Sequence, residues 1–289
     1  MKRIHFLMAM LILSLIATDE CFGQNESQIL EGPYLGQPQP SLVPEAFAPG
    51  IVTTEHFEYS GVFTPDMNEF YLIRGGGKYG KSSFVVYRKK NNRWKESIIS
   101  ARVGQPFIAP NGRTLHLGSR YMVRTNDGWS EIKSLGPSFE NIQIMRLTAS
   151  SNETYVFDEI GSRDGDGAIR YSRLMDGKRG APIRFGKEIN TGKFNAHPFI
   201  APDESYLIWD GRRESGYGNS DLYISFRQQD GSWGGAVNLG DGINTSAWEA
   251  SASVTPDGKF LFFHREISPG NVDIYWVDAQ VIEAFRPKF

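Results

Sequence analysis

Seven residues before a turn proline, the sequence twice carries a glutamate: Glu58 ahead of Pro65 and Glu249 ahead of Pro256. Two carboxyls facing one pocket can act as general acid and general base, as in glycosidic bond cleavage, with Asp158 or Asp210 as a third acidic group. The corresponding positions of other segments read Gln143 and Asn195, and His197 follows two residues after Asn195. Strand side chains repeat with period two, so Asn195 and His197 would share a face. Trp248 and Phe57, beside the glutamates, offer flat surfaces for stacking. Polar residues at such places also line solvent-filled channels with no further role. His197, directly before Pro198, equally suits a hydrogen-bonded structural histidine.

A second cluster lies in two glycine-containing loops. "DEIGSRDGDG" carries Asp158, Glu159, Asp164 and Asp166, and "DGRRESGYGNSD" carries Asp210, Arg212, Arg213, Glu214, Tyr217 and Asp221. Alternating Asp and Gly can gather hard oxygen ligands at a sharp turn, so calcium is the one cofactor the sequence admits. The full twelve-residue calcium pattern is absent, and a solvated glycine turn reads the same. Arg212 and Arg213 could clamp a carboxylate or an acidic sugar through paired hydrogen bonds. His56, His116, His197 and His264 are widely separated with no short pairing, which argues against zinc. No Gly-x-Ser-x-Gly elbow, His-Glu-x-x-His or P-loop occurs, so no catalytic residue follows from a motif.

What would position these residues is a repeat. "SGVFTPDMNEFYLIR", "QPFIAPNGRTLHLGS", "HPFIAPDESYLIWDG" and "SASVTPDGKFLFFHR" each read as strand, proline turn and strand, anchored at Pro65, Pro110, Pro202 and Pro256. A degenerate copy, "MRLTASSNETYVFDE", places Ser150 at the anchor. The anchors are then about 45, 40, 52 and 54 residues apart, the length of a four-stranded propeller blade. Third strands follow in "SFVVYRK", "AIRYSRL", "DLYISFR" and "DIYWVDA". Tryptophan-bearing turns lead to a short fourth strand. Proline presets φ for a turn, and Asp or Gly suits the residues after it, so Asp203 reads as turn chemistry. Helix is negligible apart from one short turn near "DAQVIEAFRP". The fifth copy lacks a fourth strand, and "SLVPEAFAPGIVTT" (41–54) is the candidate to supply it and cover the open edges. Five blades result, or six if one degenerate copy is hidden.

The bulk properties agree with an exported globular chain. Of 289 residues 40% are hydrophobic, 13% aromatic and 22% charged, with a net charge of -2, which excludes the basic balance of a nucleic-acid binder. Residues 1–23 have the form of a signal peptide: Lys2 and Arg3, an apolar run from Ile4 to Ala17, then small residues. Its removal would take away Cys21, the only cysteine, and with it any thiol chemistry. No later apolar run approaches a membrane span.

The "PDG" and "PDE" hairpins with their "DLYIS" and "DIYWV" strands resemble the WD-repeat-like, six-bladed-like propeller repeats of exported bacterial proteins of the TolB type. "FAPGIV" is similar to the opening strand of short exported members. The resemblance covers roughly Pro44 to the C-terminus. It implies a protein-docking scaffold, a gating appendage of a peptidase or a module of a polysaccharide-degrading system. The expectation is an all-β protein: a 24–43 linker, then one β-propeller over 44–289, its four-stranded antiparallel blades closed by an N-terminal strand. It would be a periplasmic or extracellular monomer without catalysis, binding a protein or glycan at one face of the channel. The binding residues would be Glu58, Gln143, Asn195, His197, Asp210, Arg212, Trp248 and Glu249. The alternative is a carbohydrate-active enzyme, hydrolase or lyase, using the channel-mouth carboxylates.

Overall fold

The computed structural model describes residues 30–161 and 167–288; the segment read as a signal peptide, with Cys21, lies outside them, as do Asp164 and Asp166. The chain is all-β, built mostly from antiparallel sheets. After β1 (Glu45–Ala46), the first unit is β2 (Phe57–Phe63), β3 (Glu69–Gly75), β4 (Ser83–Lys90) and β5 (Arg93–Ala101). The second is β6 (Pro106–Ile108), β7 (Thr114–Leu117), β8 (Arg120–Thr125) and β10 (Lys133–Ser134), with β9 (Gly128–Trp129) folded back on β8. The third is β11 (Leu147–Ala149), β12 (Tyr155–Glu159), β13 (Ala168–Ser172) and β16 (Ile183–Arg184), interrupted by the hairpin of β14 (Leu174–Met175) and β15 (Lys178–Arg179). The fourth is β17 (Lys193–Ile200), β18 (Tyr206–Arg212), β19 (Asp221–Phe226) and β20 (Val237–Asn238). The fifth has β21 (Glu249–Val254), β22 (Phe260–Ser268) and β23 (Asn271–Asp278), and its fourth strand is β1, with Glu45 opposite Trp276 and Ala46 opposite Tyr275. A short 3-10 helix, Ala279–Phe285, follows β23, capped by the Asp278 carboxylate on the Gln280 amide. Among the described residues no helix is long and apolar enough to cross a membrane.

The turn chemistry explains the hairpins. Thr255 donates its hydroxyl to Asp257 at 2.7 Å and accepts the Phe260 amide at 3.0 Å; Thr64 does the same with Asp66 at 2.6 Å and Glu69 at 3.0 Å. Asp203 accepts the Ser205 amide at 3.0 Å, closing its own turn as expected. The third unit departs from the expected alignment. Its Ser150 amide bonds to the carbonyl of Thr154, whereas Thr64, Ala109, Ala201 and Thr255 reach one residue further, to Glu69, Thr114, Tyr206 and Phe260. Ser150 therefore takes the place of Thr64 and Thr255. Ser151, not Ser150, stands at the proline position, and every first-strand residue of that unit moves by one.

The first strands of consecutive units lie against one another: β2 on β6, β6 on β11, β11 on β17, β17 on β21, and β21 on β2. Three of them, β2, β17 and β21, carry a bulge at corresponding residues, where Ser60, His197 and Ser251 adopt left-handed φ of +56, +46 and +53. The segment after β1 welds the first and fifth units. Phe47 is fully buried, with ring centroids of Phe70, Phe262 and Trp276 within 5.2 Å and Phe63 at 6.3 Å. Replacing it by Ala removes a ring from a site bounded by two units, so Phe47→Ala should cost about 3–5 kcal/mol in a urea titration. A loss under about 1 kcal/mol would mean the segment is not part of the folded core.

Candidate functional site

With the third unit aligned by its hydrogen bonds, one set of corresponding positions reads Ser60, Gln105, Arg146, His197 and Ser251, and all five are buried. They meet where the first strands meet. Ser60 and Ser251 both donate their hydroxyls to Oε1 of Gln105, at 2.9 and 3.0 Å, tying the first, second and fifth units. Nδ1 of His197 lies 2.9 and 3.0 Å from the two carboxylate oxygens of Asp210. Burial opposes a charge on His197, but the Asp210 and Asp158 carboxylates outweigh it and raise the imidazole pKa.

Asp158 and Asp210 occupy corresponding places on β12 and β18. Asp158 accepts the amides of Met145 and Arg146 at 2.7 and 3.2 Å and that of His197, in the next unit, at 3.0 Å. Asp210 accepts the Ser251 amide, again one unit on, at 3.1 Å. His264 holds the same place on β22 but neither ring nitrogen has a partner. Burial drives its pKa well down, with His197 and Arg146 adding to the effect. Arg146 is fully buried, and none of its three guanidinium nitrogens makes a hydrogen bond. Burial lowers its pKa to about 10, against the pull of Asp210 and Asp158.

The expected channel-mouth residues are therefore distributed differently. Glu58 and Glu249 do not line an open mouth: each is 0% exposed. Glu58 meets Arg74 at 3.1 Å and Glu249 meets Arg265 at 2.7 Å, and each carboxylate also accepts the amide of a threonine four residues back, Thr54 or Thr245. Each buried carboxylate is thus held in place within its sheet by a guanidinium and an amide. Asn195, at the corresponding place in the fourth unit, accepts the Trp209 indole N–H at 3.2 Å, opposite Gly211 instead of an arginine. His197 and Asp210 do come together, but inside the protein. Trp248 is half-buried on His264, with ring centroids 4.6 Å apart. Gln143 is exposed, and it is Ile144 that corresponds to Glu58. Arg212 is exposed at the end of β18. Among the described residues no group of three His, Cys, Asp or Glu side chains could hold a metal ion. Asp221 holds its loop by accepting the Tyr217 and Gly218 amides at 2.8 and 3.0 Å, whereas the corresponding Asp273 has an unpartnered buried oxygen and a pKa raised to about 6 by burial and by Glu58.

Two depressions lie at opposite ends of the first strands. At the turn end, four units converge on an apolar one of about 170 Å³, lined by Val62, Phe107, Phe199, Val254 and the four turn prolines Pro65, Pro110, Pro202 and Pro256. Sequence reading missed it, although an apolar residue stands two positions before every one of those prolines: Phe63, Ile108, Ile200 and Val254. At the other end, where β17 starts and β18 finishes, an open cleft of about 1080 Å³ is lined by Lys193, Phe194, Arg212, Arg213 and Glu214 with Thr191, Ser215 and three glycines.

No protein family matches the sequence, and no curated protein matches it. Among solved structures the chain is similar to a thermostable family-43 glycoside hydrolase, with a TM-score of 0.50 and 12% identity over 78% of this chain and 90% of that one. It is also similar to the catalytic domain of Coprinopsis cinerea GH62 alpha-L-arabinofuranosidase, at 0.49 and 8% over 83% and 97%. TolB from Acinetobacter baumannii follows at 0.47 and 13%, over 76% of this chain and 54% of that one, so the chain spans about half of that protein's length. The family-43 hydrolase and TolB are β-propellers. At 12% identity the likeness to the family-43 hydrolase is one of fold alone.

Buried His116 makes stability depend on acid. His116 lies beside Phe107 and edge-on to Tyr155, and burial, helped by Arg179, pushes its pKa down to about 3. The folded state then refuses the proton that an unfolded histidine takes up below a pH of about 6.5. Stability is full above that pH and falls as pH drops toward 3. Relative to wild type, His116→Leu should gain about 2 kcal/mol between pH 7 and pH 5 in parallel urea titrations. An identical pH dependence of the two proteins would contradict the placement of His116.

Proposed function

We propose that the chain is a non-catalytic β-propeller that docks a protein partner at the turn-proline end of its central channel. The proposed ring has five four-stranded blades, closed by β1 on the last, and forms one domain over 44–289. Support comes from the succession of first strands lying against one another around the set, with β21 returning to β2. Each blade of the ring leaves only a short outer edge, so the protein is a monomer in this reading, exported by its first 23 residues.

The carrying observation is the apolar depression. Its volume of about 170 Å³ lies below the roughly 300–1,000 Å³ of small-molecule pockets and suits one large apolar side chain. Such a chain buried in a fitted pocket is what anchors a protein interface. Prolines at the rim have fixed φ, so little conformational freedom remains to be lost on docking. The carboxylates argue in the same direction. Glu58 and Glu249 hold Arg74 and Arg265, and Asp158 and Asp210 hold first-strand amides. The enzymatic alternative would have to free these acids from those partners.

Selection from a random peptide display library tests the reading. Enriched peptides should share one large apolar anchor. Val254→Glu, a change at a half-buried lining residue, should weaken them at least tenfold. Glu58→Gln/Glu249→Gln should cost about 3 kcal/mol of stability per broken pair and leave peptide affinity of the folded protein unchanged. Peptides indifferent to Val254→Glu would refute the docking site. Glycan hydrolysis that vanishes in the double glutamine variant would restore the enzyme.

A further inference from the structure

The cleft at the far end of β17 concentrates positive charge in a way the sheet alone does not favour. Lys193 and Arg212 are direct cross-strand partners. Like charges in that register destabilise a sheet. Counted from the turn prolines, the same pair in the fifth unit is Ala247 and Glu266, which do not repel. Arg213 adds a third cation. Its guanidinium lies 3.9 Å from the ring centre of Tyr223, and its Nε and Nη2 are buried without a hydrogen-bond partner. Among the described residues Glu214 is the only acidic one of the lining.

The backbone is shaped around that guanidinium. A Cβ on Gly192 would lie 2.7 Å from Cγ of Arg213 and 2.5 Å from the Arg212 carbonyl oxygen, so only glycine fits beside the arginine. The Asp221 carboxylate pins the far side of the loop through the Tyr217 and Gly218 amides. Phe194, next to Lys193, is 55% exposed and has φ of +55, a conformation a bulky side chain enters only under strain. A strained backbone that holds an aromatic ring in solvent beside three cations points to a ligand with both an apolar face and negative charge.

We propose that this cleft binds a uronate-containing oligosaccharide. The sugar carboxylate sits on the exposed fork of Arg212 with Lys193 beside it, since a planar guanidinium matches a carboxylate bidentately, and Arg213 adds its charge from the cleft wall. The apolar face of the pyranose ring lies on Phe194. The site stands apart from the proline end and does not depend on the docking reading there.

Isothermal titration of the whole protein with trimannuronate, neutral mannotriose and inorganic phosphate tests it. Trimannuronate should bind with an affinity that falls as salt rises. Mannotriose should bind at least tenfold more weakly, and Phe194→Ala and Arg213→Gln should each weaken trimannuronate at least tenfold. Lys193→Ser/Arg212→Ser separates recognition from folding, because it should abolish binding while the melting temperature holds or rises. Retained binding in that variant, or no binding of trimannuronate to the folded wild type, would overturn the proposal. Phosphate that displaces the trisaccharide at equal concentration would reduce the cleft to a plain anion site and overturn the sugar assignment.

Discussion

A bulged strand at the crowded centre of the molecule leaves amides that no neighbouring strand can take, and a buried amide without a partner costs about 1–3 kcal/mol. Asp158 and Asp210 meet that demand. Each hangs from the second strand of its own unit and accepts an amide from the first strand of the next, His197 or Ser251. One carboxylate thus both permits the bulge and joins two sheets. Gln105 makes the other link, accepting the hydroxyls of Ser60 and Ser251 from either side. The joints are unequal, since His264 and Ile73 stand where the two aspartates stand and make no such bond.

This constraint decides where chemistry can occur. Acidic groups at the centre are acceptors in bonds that hold the sheets together, and the two glutamates nearer the edge are bound to arginines. Two openings lie at the ends of the first strands. One is apolar and rimmed by prolines, the other cationic with an exposed aromatic ring. The same β17 runs from the cationic cleft at Lys193 to the apolar depression at Phe199 and Ile200.

The turns were legible because their physics is local. Thr64–Pro65–Asp66 and Thr255–Pro256–Asp257 close on themselves within a few residues, and Asp203 behaves as turn chemistry for the same reason. The pairing of the 41–54 segment with the last strand was also legible, since an unpaired edge had one candidate to cover it. The burial and pairing of Glu58 and Glu249 were not anticipated, although the signal was present: Thr54, Glu58 and Arg74 repeat at identical spacing as Thr245, Glu249 and Arg265. A feature that recurs at fixed spacing builds the unit. Arg146 was hidden by a different cause. The third turn is one residue shorter and has no proline, so only hydrogen-bond partners, which are not local in sequence, reveal that Arg146 and not Met145 reaches the centre. The depression at the proline end was missed because its lining comes from four units, each giving two apolar residues and a proline to it.

The carboxylate joint is most directly tested by hydrogen exchange on Asp210→Asn. The substitution lies in the fourth unit, yet the account predicts faster exchange of the Ser251 amide, in the fifth, along with the His197 region of the fourth. Faster exchange confined to the fourth unit, with Ser251 as protected as in wild type, would contradict it.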